Sequence, residues 1–220
     1  MKDSVLHHLD VLTERYPALM PIREDVLAAF ETLAGCFARG GKLLVAGSGG
    51  SCADADHIVG ELMKGFVLPR KPSEAFGAAL TAADPTRGAR IFDKLQGGLP
   101  AISLCQHAAL NTAYLNDVPD AGNYVFAQQT FVLGEAGDVL LAISTSGNSE
   151  NLLNAAAVAH AKGMSVIALV GRDGGKLAGV SDATVCVGGD KTYQIQELHL
   201  PVYHALCLML EEEFFGRAEV

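Results

Sequence analysis

The chain has 220 residues, half of them hydrophobic and 6% aromatic, and its formal net charge is −9 at pH 7. This length and apolar content are enough for a domain with a substantial core, and they favour an α/β protein. The negative charge argues against a nucleic-acid-binding surface, which requires clustered Lys and Arg side chains. A small phosphorylated metabolite stays compatible, because one local binding loop can outweigh a distant negative field.

Cysteine usage and the N-terminal segment bear on where the protein resides. The chain has five cysteines, an odd number, in apolar contexts and without a CxxC pair: Cys36, Cys52, Cys105, Cys186 and Cys207. This pattern predicts reduced thiols. Residues 1–16 have neither the basic start nor the apolar run of a secretory signal, and no apolar run reaches membrane-spanning length. We therefore expect a cytoplasmic protein with no membrane partner.

Two amphipathic helices are predicted in residues 4–39, where apolar side chains recur every three or four positions. The pattern is interrupted at Tyr16–Pro17 and stops at Gly40–Gly41. These helices precede the first strand and have no strand of their own to cover. They therefore favour packing against a partner subunit.

The first strand, Lys42–Gly47, leads into a Gly/Ser-rich loop that ends at Ser51. A dinucleotide-binding fingerprint would need Gly or Ala at position 52 and an acidic residue at the end of the next strand. Position 52 is Cys52, and the acidic residue is missing. We therefore expect no nucleotide cofactor, and we interpret the loop as one that holds a sugar phosphate.

A helix is predicted over Cys52–Phe66, and it carries His57 and Glu61 four residues apart on one face. On spacing alone, such a pair is more often a surface contact than a functional site. Its position about one turn beyond the Gly/Ser loop favours the functional interpretation.

Residues 68–99 are too long for an ordinary loop and include a predicted short helix from Asp84 to Gln96. Segments of this length often serve as lids or binding elements. A solvated basic face is an equally good explanation for the basic residues that would otherwise be candidate substrate contacts: Arg70, Lys71, Arg87 and Arg90.

The most informative stretch runs from Asp138 to His160, where a buried strand, a hydroxyl-rich turn and a helix follow one another. The first amides of a helix lack intrahelical partners and carry the positive end of the helix dipole, so hydroxyls placed there can bind phosphate without a lysine. The alternative is that Ser149 merely caps the helix. Four hydroxyls within six residues favour phosphate binding: Ser144, Thr145, Ser146 and Ser149.

The remaining strands are predicted at Pro100–Cys105, Ser165–Gly171 and Ala183–Val187, with helices between them. This alternation predicts an α/β fold with a doubly wound, five-stranded parallel sheet, whose ligands lie beyond the carboxyl ends of the strands. The final helix is predicted over Thr192–Phe215. Pro201 is best tolerated in a first turn, which would place Gln196 before the helix.

Five segments, in order, resemble the sugar isomerase (SIS) domain family, and within it they are most similar to the phosphoheptose isomerases. They are GSGGSCADADH from Gly47, ELMKGF from Glu61, ISTSGNSENLLNA from Ile143, GRDGGKLAG from Gly171 and IQELHLPVYH from Ile195. The resemblance spans nearly the whole chain except residues 68–99. It implies a flavodoxin-like SIS fold in one domain, residues 1–220, with extra N-terminal helices in 1–40 and a lid-like insertion in 68–99.

The resemblance also implies roles for individual residues. Glu61 matches the catalytic base, His204 the acid or second base, Thr145 a contact to the reacting end of the sugar, and Asp117 an assisting carboxylate. The phosphate-binding positions are Ser48, Gly49, Gly50, Ser51, Ser144, Ser146 and Ser149. In some family members the residues that correspond to His57, Glu61, Gln196 and His204 hold a zinc ion.

These residue types suit the implied chemistry, although two difficulties remain open. An aldose–ketose isomerase needs a carboxylate base, a group that moves protons at oxygen, and stabilisation of developing negative charge. Glu61 cannot be a fully free base while it binds metal. Gln196 and His204, eight residues apart, lie about 12 Å apart along a regular helix, so Gln196 would have to curl towards the metal.

The activity implied is interconversion of sedoheptulose 7-phosphate and D-glycero-D-manno-heptose 7-phosphate, in a homotetramer with sites near subunit interfaces. The alternative is a non-catalytic, DiaA-like SIS protein that binds phosphosugars or regulates a partner. The presence of both Glu61 and His204 favours the enzyme. The chain departs from the family pattern at Ser48 in place of Asn, Gly65 in place of Arg and Tyr193 in place of Asp, which bears on the substrate more than on the proton-transfer pair.

Overall fold

A parallel sheet forms the centre of the computed structural model, which describes residues 2–216. Within these residues the sheet has five strands in the order β2-β1-β3-β4-β5, all parallel. The strands are β1 Leu43–Gly47, β2 Ala101–Ser103, β3 Val139–Ser144, β4 Ser165–Gly171 and β5 Ala183–Val187. The strand order reverses direction between β1 and β3, so the predicted doubly wound sheet is confirmed. Met1 and residues 217–220, which the domain prediction includes, lie outside the described residues.

Helices cover both faces of the sheet. They are α1 Asp3–Arg15, α2 Arg23–Ala38, α3 Gly50–Met63, α4 Glu74–Ala83, α5 Gly88–Lys94, α6 Ala108–Asp117, α7 Val125–Leu133, α8 Glu150–Ala161, α9 Gly175–Ala178 and α10 Thr192–Phe215. A 3-10 helix, Pro17–Ile22, joins α1 to α2 where the sequence predicted a break. None of the helices in residues 2–216 is both long and apolar enough to cross a bilayer.

The alternating side chains of the strands feed two separate hydrophobic cores. One face, which includes Val45 and Leu141, packs against α1, α2, α3 and α10. The opposite face, which includes Leu44 and Leu140, packs against α7 and α8. Because β1 and β3 are covered on both faces, they consist of continuous apolar residues rather than an alternating pattern.

Residues 68–99 form two short helices. The second, α5, lies within the predicted Asp84–Gln96 helix but begins later, at Gly88, and the first, α4, was not predicted. The alanine-rich stretch forms α4, whose start is capped by the Ser73 hydroxyl accepting a hydrogen bond from Phe76 N. Asp84 lies between the helices, where its Oδ1 accepts hydrogen bonds from the backbone of Thr86 and Arg87 and therefore stabilises a turn.

A buried ion pair holds the segment after α3 against α10. Arg70 Nε donates to Glu211 Oε1 at 2.8 Å, and the two side chains are 0% and 1% exposed. Glu211 also accepts hydrogen bonds from the backbone amides of Phe66, Val67 and Leu68. Arg70 donates in turn to the carbonyl oxygens of residues 61 and 62 at the C-terminus of α3. Arg70 is therefore a structural residue, and not one of the substrate contacts that the sequence allowed.

We expect Glu211→Gln to lower the free energy of unfolding by about 3 kcal/mol, because it leaves the buried guanidinium of Arg70 without its counter-ion. Denaturant unfolding measures the change. The control is Glu24→Gln, which breaks an exposed ion pair with Arg23 and should cost less than about 1 kcal/mol. Equal effects of the two substitutions would contradict the role of the buried pair.

Helix α10 runs without interruption through Pro201, so the prediction that Pro201 lies in a first turn and Gln196 before the helix was wrong. Pro201 is the tenth of the 24 residues of α10 and is buried, and Gln196 lies inside the helix. Packing of α10 against α1, α2 and α3 holds the helix together where proline removes one backbone hydrogen bond.

His199 on α10 is fully buried, with 0% exposure. Burial lowers its pKa to about 4, and the nearby Val170 backbone only partly opposes this. Neither ring nitrogen makes a well-formed hydrogen bond. The ring is therefore neutral in the folded protein at neutral pH, while the same ring in the unfolded chain takes up a proton near pH 6.5.

This difference predicts a loss of stability in acid. The unfolded chain binds a proton at His199 below pH 6.5, whereas the folded chain does so only near pH 4. Stability is therefore lost as the pH falls through that window, by about 3 kcal/mol in total. Unfolding free energies of wild type and His199→Leu, measured across the window, should diverge by that amount. The control His7→Leu alters an exposed ring and should keep the pH dependence of wild type. The same loss of pH dependence as in His199→Leu would remove His199 as the cause.

Candidate active site

The two Gly/Ser-rich loops identified in the sequence lie side by side at the carboxyl edge of the sheet. β1 and β3 are neighbours, with Gly47 paired to Ile143, and one loop follows each strand. The strand order reverses between these two strands, and ligands of open α/β sheets bind in the crevice at such a point. The topology therefore brings together the two loops that the sequence could only identify separately.

The first loop brings the chain tightly from β1 into α3. Gly49 has a φ of +63° and a ψ of −124°, a conformation that is essentially restricted to glycine. Ser51 is buried, whereas Ser48 and Gly50 are exposed. The amides at the start of α3 have no side-chain cap, so they are free to bind an anion.

The second loop presents its hydroxyls to one another and not to the helix. Ser144 Oγ and Ser149 Oγ lie 3.0 Å apart, and Ser146 Oγ accepts a hydrogen bond from the Asn148 amide. Although Ser149 precedes α8, its side chain makes no capping hydrogen bond. The simple capping interpretation of Ser149 is therefore wrong, and the hydroxyls of Ser144 and Ser149 lie together beside the uncapped N-terminus of α8.

Asn151 links the two loops, and the sequence analysis did not single it out. Its Nδ2 donates to Ser48 Oγ at 3.1 Å, which joins α8 to the loop after β1. A third loop, which follows β4 and contains Gly174, packs against the second loop. Gly147 packs so closely against the backbone of Gly174 that a Cβ at Gly147 would overlap it.

A cluster of ionisable side chains lies further along α3. His57 Nε2 is 3.2 Å from Glu61 Oε1, and Lys64 Nζ donates to Glu61 Oε2 at 2.9 Å. Burial works to raise the pKa of Glu61, but the hydrogen bond and charge of Lys64, together with His57, outweigh it and hold that pKa below the usual carboxyl value. Glu61 is therefore ionised at neutral pH and available as a base.

His204 reaches the same cluster from α10. Its Nε2 lies 3.5 Å from His57 Nε2, with the two rings nearly perpendicular. Burial lowers the pKa of His204, His57 lowers it further and Glu61 partly opposes the effect. The structure thus brings together Glu61 and His204, which lie 143 positions apart in the sequence.

Behind His57 lies a second pair of polar groups that the sequence analysis missed. The Tyr203 hydroxyl is 3.0 Å from His57 Nδ1 and donates to Asp54 Oδ1 at 3.3 Å. Burial raises the pKa of Tyr203, and the charge of Asp54 adds to the effect. Burial also raises the pKa of Asp54, which the Tyr203 hydrogen bond opposes.

Three of the four predicted zinc ligands meet in this cluster, and Gln196 does not. The ring nitrogens and carboxylate oxygen of His57, His204 and Glu61 are the donor types that zinc accepts. His57 Nε2 lies 3.2 Å from Glu61 Oε1 and 3.5 Å from His204 Nε2, close to the roughly 3.4 Å between ligand atoms of a tetrahedral site. Within residues 2–216, however, no set of three His, Cys, Asp or Glu side chains is arranged as a complete metal site.

The amide of Gln196 packs against Gly50 at the start of α3. Seven residues, or about 10 Å of helix, separate Gly50 from His57. Gln196 therefore lies beside the first loop, inside α10, and no hydrogen bond within the described residues joins it to His57 or His204.

The other predicted site residues are distributed as follows. Thr145 lies in the second loop and is half-buried. Asp117 is the exposed last residue of α6 and accepts a hydrogen bond from Asn116, and the described contacts do not connect it to Glu61 or His204. Tyr193 is exposed. Lys64, beside Gly65, places its ammonium group on Glu61 Oε2.

Comparison with known proteins identifies the relatives of this chain. Residues 77–171 match the family model described as SIS domain. The phosphoheptose isomerase of Alkalilimnicola ehrlichii is 35% identical over 220 residues, which cover 98% of this chain and 98% of the relative. The chain belongs to the phosphoheptose isomerase family of SIS-domain proteins.

Two further relatives agree with this assignment. The phosphoheptose isomerase of Thiobacillus denitrificans is 40% identical over 185 residues, covering 83% of this chain and 80% of that protein. The structure of phosphoheptose isomerase GmhA from Neisseria gonorrhoeae superimposes with a TM-score of 0.71 at 33% identity, covering 96% of this chain and 98% of that one. The flavodoxin-like SIS fold expected from the five sequence segments is confirmed.

Proposed function

We propose that this protein is a phosphosugar isomerase that interconverts an aldose and a ketose phosphate. The observation that carries the proposal is the presence of two loops suited to a phosphate on the same molecule as an ionised carboxylate and an imidazole. A non-catalytic SIS protein would have no need for Glu61 and His204 in one cluster. Membership of the phosphoheptose isomerase family supports the same conclusion.

In this proposal Ser144, Ser146 and Ser149 hold the phosphate, together with the amides at the starts of α3 and α8. Ser48, Gly49, Gly50 and Ser51 contribute the opposite wall. Serine hydroxyls and helix N-termini bind a dianion by hydrogen bonds and dipoles, without a local lysine. Such binding fixes the charged end of the sugar and leaves its carbonyl end to be positioned elsewhere.

The carbonyl end undergoes proton transfer. Glu61 takes the proton from the carbon next to the carbonyl, which gives an enediol. It then returns the proton to the former carbonyl carbon, which completes the isomerisation. His204 moves the proton between the two oxygens, because burial keeps its ring neutral and able both to give and to accept. Thr145 contacts the sugar, and Asp117 assists, in line with the family pattern.

The length of α3 favours a long substrate. Glu61 lies eleven residues beyond Gly50, which is about 16 Å along the helix axis. An extended seven-carbon sugar phosphate spans about 10 Å from phosphorus to C1, to which contact distances at both ends are added. We therefore propose sedoheptulose 7-phosphate and D-glycero-D-manno-heptose 7-phosphate as the substrate pair.

The reaction is tested with a panel of pentose, hexose and heptose phosphates, following ketose–aldose exchange and deuterium uptake from solvent. Wild type should exchange the heptose phosphate fastest. Glu61→Gln should lower the turnover number at least about 100-fold, because the amide cannot accept the carbon-bound proton. The control, Glu31→Gln, makes the same chemical change at an exposed position of α2 and leaves the Glu61 cluster and both loops intact. Full turnover in Glu61→Gln would remove Glu61 from the mechanism.

Phosphate binding is tested separately from catalysis. Ser146→Ala combined with Ser149→Ala should weaken sugar-phosphate binding by about 10- to 100-fold, since hydrogen bonds to a charged group are lost. Isothermal calorimetry in the Glu61→Gln background measures affinity without turnover. Ser165→Ala, at the opposite edge of the sheet, is the matched control. Unchanged affinity in the double variant would exclude these hydroxyls from the phosphate site.

We also propose that His57, Glu61 and His204 can hold a zinc ion, with Glu61 bound through Oε1, which faces His57, so that Oε2 stays available for proton transfer. With zinc bound, the metal takes over from His204 at the substrate oxygens. Three protein ligands and a fourth position left for water or substrate are typical of catalytic zinc sites. Bound zinc would polarise the substrate oxygen and stabilise developing negative charge. The fourth residue of the family set, Gln196, would have to reach the ion from beside Gly50, where its amide lies.

Metal analysis tests this set of ligands. Protein purified without added metal should bind one zinc ion per chain, and His57→Ala should lose it. The control His160→Ala alters a histidine paired with Asp182 and should keep the metal. No bound zinc in wild type, together with no gain of activity on zinc addition, would reject the proposal.

The remaining family features are also proposals. We infer that the protein acts as a homotetramer in the cytoplasm, as one SIS domain, with residues 68–99 serving as a lid. An oligomer is supported by α6, which has no buried residue in the single chain. The lid role is supported by α4 and α5, which pack mainly on each other and so are held only weakly to the rest of the domain.

A further inference from the structure

One side-chain hydrogen bond joins the first Gly/Ser-rich loop to the helix that follows the second. Asn151, the second residue of α8, donates from Nδ2 to Ser48 Oγ at 3.1 Å. Ser48 lies in the loop after β1, whereas α8 follows the loop after β3, so the bond connects the two walls of the proposed phosphate site. Within residues 2–216 the Ser48 side chain makes no other hydrogen bond. The position of its hydroxyl therefore depends on Asn151.

Ser48 needs such an anchor because of its neighbours in the chain. It is exposed and lies between Gly47 and the pair Gly49 and Gly50. Glycine restricts the backbone less than any other residue, so a hydroxyl in a run of glycines loses much conformational entropy when a ligand fixes it. A hydrogen bond that is already present before the ligand arrives lowers this cost.

The same contact sets the direction of the Ser48 hydroxyl. The NH₂ group of an amide can only donate, so Ser48 Oγ accepts in this bond and its own proton is left for another acceptor. The second loop has the same arrangement at Ser146, whose Oγ accepts from the backbone amide of Asn148 at 3.2 Å. A phosphate dianion offers only acceptor oxygens. Both loops therefore hold a hydroxyl whose proton is available to one anion.

We propose that Asn151 is a positioning residue that holds the Ser48 hydroxyl, as a hydrogen-bond donor, beside the N-terminus of α8. The inference deepens the proposed function and rests on it, because it adds a donor from the first loop to the phosphate site formed by the serines after β3. The side chain of Asn151 acts through Ser48 and not on the phosphate itself. This dependence on Ser48 distinguishes it from a residue that merely stabilises α8.

Asn154 provides a matched control on the same helix. It lies three residues after Asn151, is also half-buried, and donates from Nδ2 to the carbonyl oxygen of Asn123 at 2.9 Å. Replacing either asparagine with alanine removes one amide hydrogen bond made by α8. Of the two bonds, only that of Asn151 reaches a Gly/Ser-rich loop.

Calorimetry in the Glu61→Gln background measures affinity for sedoheptulose 7-phosphate and for inorganic phosphate. Asn151→Ala should weaken both about 3- to 10-fold, and Asn154→Ala should change neither. Ser48→Ala should cause a loss similar to that of Asn151→Ala. Combining Asn151→Ala with Ser48→Ala should cost no more than Ser48→Ala alone, because no hydroxyl is then left to hold. Losses that multiply in the double variant, or unchanged affinity in Asn151→Ala, would overturn the proposal.

Asn151→Asp tests the direction of the hydroxyl, and it decides the question if Asn151→Ala does not fold. A carboxylate in the first turn of α8 is favourable for the helix dipole, so the fold should be retained. Aspartate can only accept, so it takes the Ser48 proton away from the phosphate. Affinity should therefore fall by a larger factor when Ser48 is present than in the Ser48→Ala chain, where only the added charge acts. Equal factors in the two backgrounds would contradict the assigned direction.

Steady-state kinetics with active Glu61 separate positioning from catalysis. Asn151→Ala should raise the Michaelis constant about 3- to 10-fold and keep the turnover number within about twofold of wild type, because no hydrogen bond in residues 2–216 joins Asn151 to Glu61 or His204. A fall in turnover with an unchanged Michaelis constant would rule out the positioning role.

The two proposals fail separately. Wild type that binds sugar phosphate without isomerising it refutes only the isomerase, because the calorimetric comparison reports binding alone. An active wild type whose Asn151→Ala variant keeps full affinity refutes only the role of Asn151.

Discussion

The side-by-side packing of α3 and α10 is the contact on which the proposed chemistry depends. It acts at three levels along the pair. Near the start of α3, Gln196 packs over Gly50. In the middle, Tyr203 and His204 meet His57. At the C-terminal end, the segment after α3 is held to α10 by the buried Arg70–Glu211 pair. A shift of either helix by one turn, about 5 Å, would separate every one of these groups.

This arrangement explains why a buried ion pair is kept close to the proposed active site. Breaking such a pair leaves an uncompensated charge in the interior, so the protein strongly resists any displacement that would separate Arg70 from Glu211. Arg70 also binds the carbonyl oxygen of Glu61 itself. The pair therefore fixes the backbone that carries the proposed base, whereas the exposed Lys64 contacts only its side chain.

The two ends of the proposed substrate are held by different kinds of structure. The phosphate loops follow strands and depend on backbone conformations that glycine permits, such as the positive φ of Gly49 and Gly147. The proton-transfer cluster lies on helix faces and depends on side-chain packing. Binding and chemistry are therefore separable, which is why serine substitutions and the Glu61 substitution are expected to affect affinity and turnover independently.

The sequence by itself determined the order of the elements, the two Gly/Ser loops and the pairing of His57 with Glu61. These follow from local patterns: apolar periodicity, turn residues, and positions four apart on a helix. Only the tertiary structure decided which helix faces meet. The contacts of Tyr203 with Asp54 and of Arg70 with Glu211 join residues more than 140 positions apart, and the Gln196 amide lies against Gly50 because α10 continues as a helix through Pro201. Such contacts depend on the relative placement of two helix axes, which burial over a whole core fixes and no local pattern encodes.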